Sequence, residues 1–179
     1  MKKLFFCSLF ICSFGFSQPR NFNELFIGPW RGIVKQESQG FGTISTGQYF
    51  KIYFYESEIK NDGKIHNVYG SRTVEFLYED SVFGVKTALA FTNFRGTYNT
   101  ANNTFLLEDY EFTKKDDLSS YGLQFTLAKM KMTVYNNPKD PKFIIMQGYY
   151  VDDNWNKLYG TSLYLINDPN FNPWKQVTY

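Results

Sequence analysis

The chain contains few of the residues that build covalent or metal centres. Its 179 residues include one histidine, His66, and two cysteines, Cys7 and Cys12, both within the first 17 positions. A zinc site needs three or four His, Cys or acidic ligands, and acyl transfer needs a nucleophile beside a base. We therefore predict no metal site, no cofactor and no enzymatic activity.

Only one long apolar run is present, and it is too short to cross a membrane as a helix. It extends from Leu4 to Phe16, directly after Lys2 and Lys3. A membrane-spanning helix needs roughly 20 apolar residues, whereas a basic start, a short apolar run and small residues before a cleavage point are typical of a signal peptide. We predict cleavage after Ser17, which also removes both cysteines. Export to the periplasm or the outer surface follows.

An excess of positive charge is also missing. The formal charge of the whole chain is +2, and Lys2 and Lys3 account for it, so the mature protein has a net charge of about zero. Proteins that bind nucleic acids need a basic stripe that displaces counterions from phosphates. Nucleic acid is therefore excluded as a predicted partner.

Aromatic residues are abundant, at 20% of the chain with 14 tyrosines, and their spacing has a period of two. In the stretch "GQYFKIYFYES", Phe50, Ile52 and Phe54 alternate with tyrosines and with Lys51. Successive strand residues point to opposite faces of a sheet, so this alternation predicts a β-strand. Seven further stretches predict strands: "WRGIVKQE", "KIHNVYGSRTVEF", "GVKTALAFTNFRGTY", "NTFLLEDYEFT", "YGLQFTLAKMKMTVY", "KFIIMQGYYV" and "NKLYGTSLYLI".

The connections between these stretches are clusters of Asn, Asp, Gly and Pro of hairpin length, such as "NTANN" and "DDNWN". Short connections join antiparallel neighbours. We predict an all-β fold, an eight-stranded antiparallel up-and-down barrel, with two packed sheets as the alternative. The predicted organisation is a signal peptide at 1–17, a barrel at 18–167 and an extended tail at 168–179 that packs on the barrel.

The sequence Gly28-Pro29-Trp30-Arg31-Gly32 resembles the entry to the first strand of lipocalins and related calycin barrels, in which the Trp closes one end. It is also similar to avidin-like barrels, and to small exported barrels of unknown function that begin Trp-x-Gly-x-x-x-Gln, with Gln36 in the last position. The resemblance implies a barrel in which Trp30 is structural. Gly32, on the same face, is expected to leave room for the indole ring.

Two sets of side chains are candidates for recognition. Tyr49, Tyr53 and Tyr55 share one face of the second predicted strand, and Met130 and Met132 share one face of the sixth. Facing inward, they would line an adaptable ligand pocket; alternatively, either set is core, or the tyrosines lie on the outer face. The second candidate surface is the tail, whose aromatic residues Trp174 and Tyr179 are expected to bind a partner.

Acidic residues do not form a convincing reactive pair in this sequence. Asp109 and Glu111 are predicted to share a solvated outer face, with Glu108 on the opposite face. The loop that begins at Asp152 has oxygen ligands at alternate positions, but it has Lys157 where a calcium loop needs Gly, so a hairpin turn is expected.

Two functions remain open at this point. The first is an exported, non-enzymatic barrel that binds an apolar or aromatic small molecule. The second is a subunit of a larger cell-envelope complex that docks through exposed aromatic residues and the tail. An integral outer-membrane barrel is disfavoured because lysines fall on several predicted strands, where a lipid-facing side must be continuously apolar.

Overall fold

Eight antiparallel strands close into a barrel in the computed structural model of this protein, which describes residues 29–38, 42–59, 63–158 and 160–172. Each strand pairs with the one before it, and the last pairs with the first, so the predicted all-β up-and-down barrel is confirmed. The strands are β1 Trp30–Ser38, β2 Gly42–Ile59, β3 Ile65–Asp80, β4 Gly84–Asn99, β5 Thr104–Lys115, β6 Lys129–Asn136, β7 Ile144–Val151 and β8 Thr161–Ile166.

Period-two alternation decides which side chains fill the barrel. Phe50 and Ile52 of β2 face inward and are at most 1% exposed, as are Met130 and Met132 of β6. Large apolar side chains pack well against one another on the inner faces of a closed sheet. The core contains Trp30, Val34, Phe50, Ile52, Val68, Phe94, Tyr98, Phe105, Leu107, Met130, Met132, Val134, Ile144, Met146, Leu163 and Leu165.

Gly32 also faces the interior, and atoms of β8 fill the space beside it. A Cβ atom at this position would lie 2.7 Å from Cγ and 2.9 Å from Cα of Leu165, both closer than real Cβ contacts allow. The atoms nearest to that position are those of Tyr164 and Leu165. Gly32 therefore permits close packing of the two strands that close the barrel.

The sixth strand is shorter than the sequence predicts. The pattern predicted a strand over residues 121–135, whereas β6 begins at Lys129. Before it lie a single 3-10 turn at Ser119–Tyr121, the only helix in the described residues, and an irregular segment at 122–128. Paired residues of β5 and β6 end at Glu108 and Lys129, because the amide of Ala128 donates to a side chain instead.

None of the helices in the described residues has the length and apolarity to cross a membrane.

Residues 167–172, here called the C-terminal strap, leave β8 and run along the outside of the barrel. The strap begins with Asn167, whose Oδ1 accepts the amide of Ile144 at 2.7 Å. Farther on, the ring of Phe171 lies 6.4 Å from the ring of Tyr164 on β8. The predicted signal peptide and the tail residues Trp174 and Tyr179 lie outside the described residues.

Candidate functional site

The barrel interior holds an ion pair that no part of the sequence reasoning expected. Arg72 of β3 and Asp109 of β5 are 2% and 4% exposed. The guanidinium donates twice, from Nε to Asp109 Oδ1 at 3.2 Å and from Nη2 to Asp109 Oδ2. A planar guanidinium and a carboxylate form this two-bond contact with high geometric specificity. The pair therefore links two strands that are not neighbours, across the inside of the barrel.

Further donors complete the coordination of the Asp109 carboxylate. Thr92 Oγ1 donates to Oδ1 at 3.1 Å, and the amide of Ala128 donates to Oδ2, also at 3.1 Å. Burial by itself lowers the pKa of Arg72, but the charge of Asp109 and the hydrogen bonds that Arg72 makes to Asp109 and Tyr150 outweigh burial and raise that pKa. Burial raises the pKa of Tyr150. With a permanent cation and a neutral phenol, this cluster suits a structural role better than proton transfer.

Asp109 lies inside because it continues the inward alternation of the first half of β5. The sequence predicted that Asp109 and Glu111 share a solvated outer face, and this prediction is wrong for Asp109. A β-bulge separates the two residues: Phe94 pairs with Asp109 and Asn93 pairs with Glu111, so Tyr110 is an extra residue in β5. The extra residue reverses the facing of Glu111. Glu111 consequently points outward, where its Oε1 accepts the side-chain amide of Asn93 at 2.7 Å.

The candidate recognition residues lie on two sides of the barrel wall. Met130 and Met132 are fully buried in the core. Tyr49, Tyr53 and Tyr55 belong to the outer face of β2, where they are 2%, 39% and 66% exposed. The two sets are therefore not brought together around one cavity. Tyr49 differs from the other two tyrosines because it is covered although it faces outward.

A pocket of about 390 Å³ lies beside Tyr49, between the outer wall of the barrel and the C-terminal strap. We call it the lateral pocket. Strand register brings its wall together, because Arg31 pairs with Lys51 across β1 and β2, and Tyr49 pairs with Glu75 across β2 and β3. The strap supplies the opposite side through Asn170, Phe171 and Asn172.

The charges of the lateral pocket do not cancel. Lys51 Nζ lies 3.1 Å from Glu75 Oε1, a diagonal pair on neighbouring strands. Arg31 donates from Nη1 to the carbonyl of Pro169, which is neutral, and its buried Nε finds no acceptor among the described residues. Two cations and one carboxylate line the pocket, giving a net charge of +1. The positive charge that remains belongs to Arg31.

The other positions singled out by sequence have structural surroundings. Trp30 is fully buried and pairs with Ile52. Asp152 accepts the amides of Asn154 and Asn156 at 2.9 and 2.8 Å, the bonding of a tight turn. Among the described residues, no group of three or more His, Cys, Asp or Glu side chains could hold a metal ion.

Sequence reasoning missed Arg31, Glu75 and Phe171 as pocket residues. A signal was available for Lys51, since alternation places it on the same face as Tyr49. No local sequence signal could predict Phe171 as a pocket residue, because the strap contacts the β2 side of the pocket only in the folded chain.

In comparisons with known proteins, no family model matches this chain, and no curated protein matches it.

Proposed function

We propose that this protein is an exported, non-enzymatic binding protein whose ligand is a small organic anion with an apolar or aromatic body, held in the lateral pocket. The observation that carries the proposal is a pocket of about 390 Å³ that combines aromatic walls, Tyr49 and Phe171, with a net positive charge. Ligand sites are commonly clefts of roughly 300–1,000 Å³ with apolar walls and a few polar groups that orient the ligand.

The charges of the pocket support an anion with a single negative charge. Glu75 repels anions, but Lys51 neutralises it at 3.1 Å, whereas the partner of Arg31 among the described residues is the carbonyl of Pro169. A carboxylate or sulfonate matches the guanidinium in shape and charge, and hydrogen bonds to charged groups are stronger than neutral ones. The ring of Tyr49 or Phe171 would then contact the apolar body of the ligand.

We further propose a distant relation to calycin barrels, with a different place for the ligand. The supporting features are a closed eight-stranded meander and a buried Trp30 at the start of β1. In this protein the middle of the barrel is packed with aromatic and thioether side chains, including Phe94, Phe105 and Met132. The outer wall beside the strap therefore offers the better-formed cavity.

Binding of 2-naphthoate, compared with the uncharged 2-naphthylmethanol, tests the proposal by isothermal titration. We expect the wild-type protein to bind the anion about tenfold more tightly, since about 1.4 kcal/mol corresponds to a factor of ten in affinity. Lys51→Met brings the net charge of the pocket to zero and should remove that preference. Lys51→Met combined with Glu75→Gln returns the net charge to +1 and should restore the preference.

The matched control for this titration is Arg95→Gln. Arg95 is an exposed cation on β4, with a side chain that is 62% exposed and lies outside the pocket lining. Its replacement should leave both affinities unchanged. Equal affinities of the wild-type protein for the two naphthyl compounds, or a preference that survives Lys51→Met, would refute the proposed site.

A second candidate function, docking within a cell-envelope complex, is favoured by a patch of exposed tyrosines. Tyr53 and Tyr55 of β2 are joined on the outer wall by Tyr69 of β3, which is 37% exposed and pairs with Arg95. Tyr and Arg are enriched among the residues that dominate protein interfaces. Gentle solubilisation of the envelope followed by size exclusion separates the two functions, because only a docking subunit elutes with a large complex.

A further inference from the structure

Exposed apolar side chains are concentrated at one end of the barrel. We call the end opposite Trp30 the distal end; the β3–β4, β5–β6 and β7–β8 connections lie there. Of the eleven large hydrophobic side chains that are exposed in the described residues, seven lie at this end. They are Val82, Phe83, Val85, Tyr121, Leu123, Leu127 and Leu158.

The described turns at the opposite end of the barrel are polar. Residues 100–103 and 137–143 contain none of these exposed hydrophobic side chains and are rich in Asn, Asp, Pro and Lys. Singly exposed hydrophobic residues are normal on a protein surface, but a group of them on several adjoining loops indicates an interaction site. Among the described connections, the exposed hydrophobic side chains therefore lie at the distal end.

The β3–β4 hairpin carries the most exposed of these residues, and its end pairs with neither neighbouring strand. Pairing of β3 with β4 continues to Asp80 and Gly84, whereas pairing of β3 with β2 stops at Phe76 and pairing of β4 with β5 stops at Ala90. At its end lie three side chains that we call the apolar tip. These are Val82, Phe83 and Val85, which are 77%, 73% and 68% exposed.

One carboxylate, that of Asp80, accepts hydrogen bonds from the turn that carries the apolar tip. Asp80 Oδ1 accepts the amides of Val82 and Phe83, both at 2.9 Å, while Oδ2 accepts the hydroxyl of Tyr121 at 2.5 Å and the ammonium of Lys86 at 3.2 Å. The Tyr121 bond is the largest of the effects that hold the pKa of Asp80 well below its usual range. Asp80 in turn raises the pKa of Tyr121 to about 12. A tip fixed in this way loses little conformational entropy when it docks.

Polarity is graded along the hairpin. Behind the apolar tip, Lys86 Nζ lies 4.1 Å from the centre of the Phe83 ring, and the rings of Tyr78 and Tyr121 lie 4.8 Å apart. Lysine and tyrosine place their apolar parts against hydrocarbon and their polar ends in the headgroup region of a bilayer. Lys86 is paired with Asp80, so this arrangement requires no anionic lipid.

We propose that the distal end docks on the surface of a phospholipid bilayer, with the apolar tip inserted at the interface and with Lys86 and Tyr121 at the level of the headgroups. An apolar hairpin end above a base of lysine and tyrosine matches the order of hydrocarbon and headgroups in a bilayer. The proposal is independent of the ligand in the lateral pocket.

Co-sedimentation of the exported protein with phosphatidylcholine vesicles tests this proposal. The triple variant Val82→Ser, Phe83→Ser, Val85→Ser should reduce the vesicle-bound fraction about fivefold or more, because the inserted apolar area is lost. The matched control removes three exposed tyrosines from the barrel wall, Tyr53→Ser, Tyr55→Ser, Tyr69→Ser, and should bind vesicles as the wild-type protein does.

A second measurement does not depend on the folding of the triple variant. Both of its variants carry Trp155→Phe, because Trp155 lies in the β7–β8 connection at the same end. In that background, tryptophan at the tip, Phe83→Trp, should be quenched by brominated phosphatidylcholine, and quenching of tryptophan on the wall, Tyr55→Trp, should be much weaker. Absence of wild-type binding, equal binding by the tip variant, or equal quenching at the two positions would overturn the proposal. Recovery of the wild-type protein with an envelope protein, but never with protein-free vesicles, would also overturn it.

Discussion

Replacing Asp109 with asparagine is expected to lower the free energy of unfolding by about 3–5 kcal/mol, one of the two largest effects of any single substitution that we predict. The side chain keeps its shape, but Arg72 is left as an unpaired cation that is 2% exposed inside the barrel. Because small domains are stable by only about 5–15 kcal/mol, the loss should be evident in urea denaturation followed by tryptophan fluorescence.

Removing both charges separates the cost of an unpaired charge from the value of the pair. Arg72→Met combined with Asp109→Leu should recover most of the lost stability, since buried ion pairs are often replaceable by packed apolar residues. Recovery should be incomplete, because Thr92 Oγ1 and the amide of Ala128 lose the acceptor that they have in Asp109. A double variant as unstable as Asp109→Asn would contradict this interpretation of the pair.

Trp30→Ala is expected to cost about 3–5 kcal/mol, the range for truncating a buried aromatic residue to alanine. Trp30 is fully buried and belongs to the core at the start of β1. Thermal and urea unfolding measure the loss.

Trp155 supplies the matched control. It lies in the β7–β8 connection, half-buried, with Lys129 Nζ 5.8 Å from its ring centre. An exposed cation–π contact is worth about 0.5–1 kcal/mol, so Trp155→Ala should cost about 1 kcal/mol or less.

A separate variant tests whether Trp30 contacts the ligand. Trp30→Phe should retain the affinity for 2-naphthoate. A selective loss of binding without a loss of stability would show that Trp30 is a ligand residue.

Much of the fold could be predicted because strand alternation is a local property. The alternation around Phe50 and Ile52 predicted a strand with two different faces, although not which face packs inward, and short polar connections predicted antiparallel order. At Asp109 the prediction failed because the charge of the side chain was given more weight than the inward alternation of Phe105 and Leu107. At the start of β6 it failed because the amide of Ala128 donates to the side chain of Asp109. The bulge at Tyr110, which turns Glu111 outward, also had no signal in the pattern. The alternation of inward and outward residues along a strand gives no sign in the sequence of where a bulge inserts an extra residue.

The candidate site was less predictable because its parts are distant in sequence. Arg72 continues an inward series on β3 that includes Val68 and Gly70, so alternation alone could have placed it inside. A charged side chain is normally expected on the surface, and the buried position of Arg72 is compensated by its ion pair with Asp109. The lateral pocket needs the strap to return to β2, and that depends on contacts such as Arg31 with Pro169, which leave no local sequence signature.

Native mass spectrometry of the protein released gently from its own cells tests most directly whether the lateral pocket carries a ligand. We expect a species heavier than the bare chain by one small acidic organic molecule, both for the wild-type protein and for Lys51→Met combined with Glu75→Gln. Lys51→Met alone should release that molecule. A wild-type protein recovered only at its bare mass, or an adduct that persists in Lys51→Met, would show that the lateral pocket is not the ligand site.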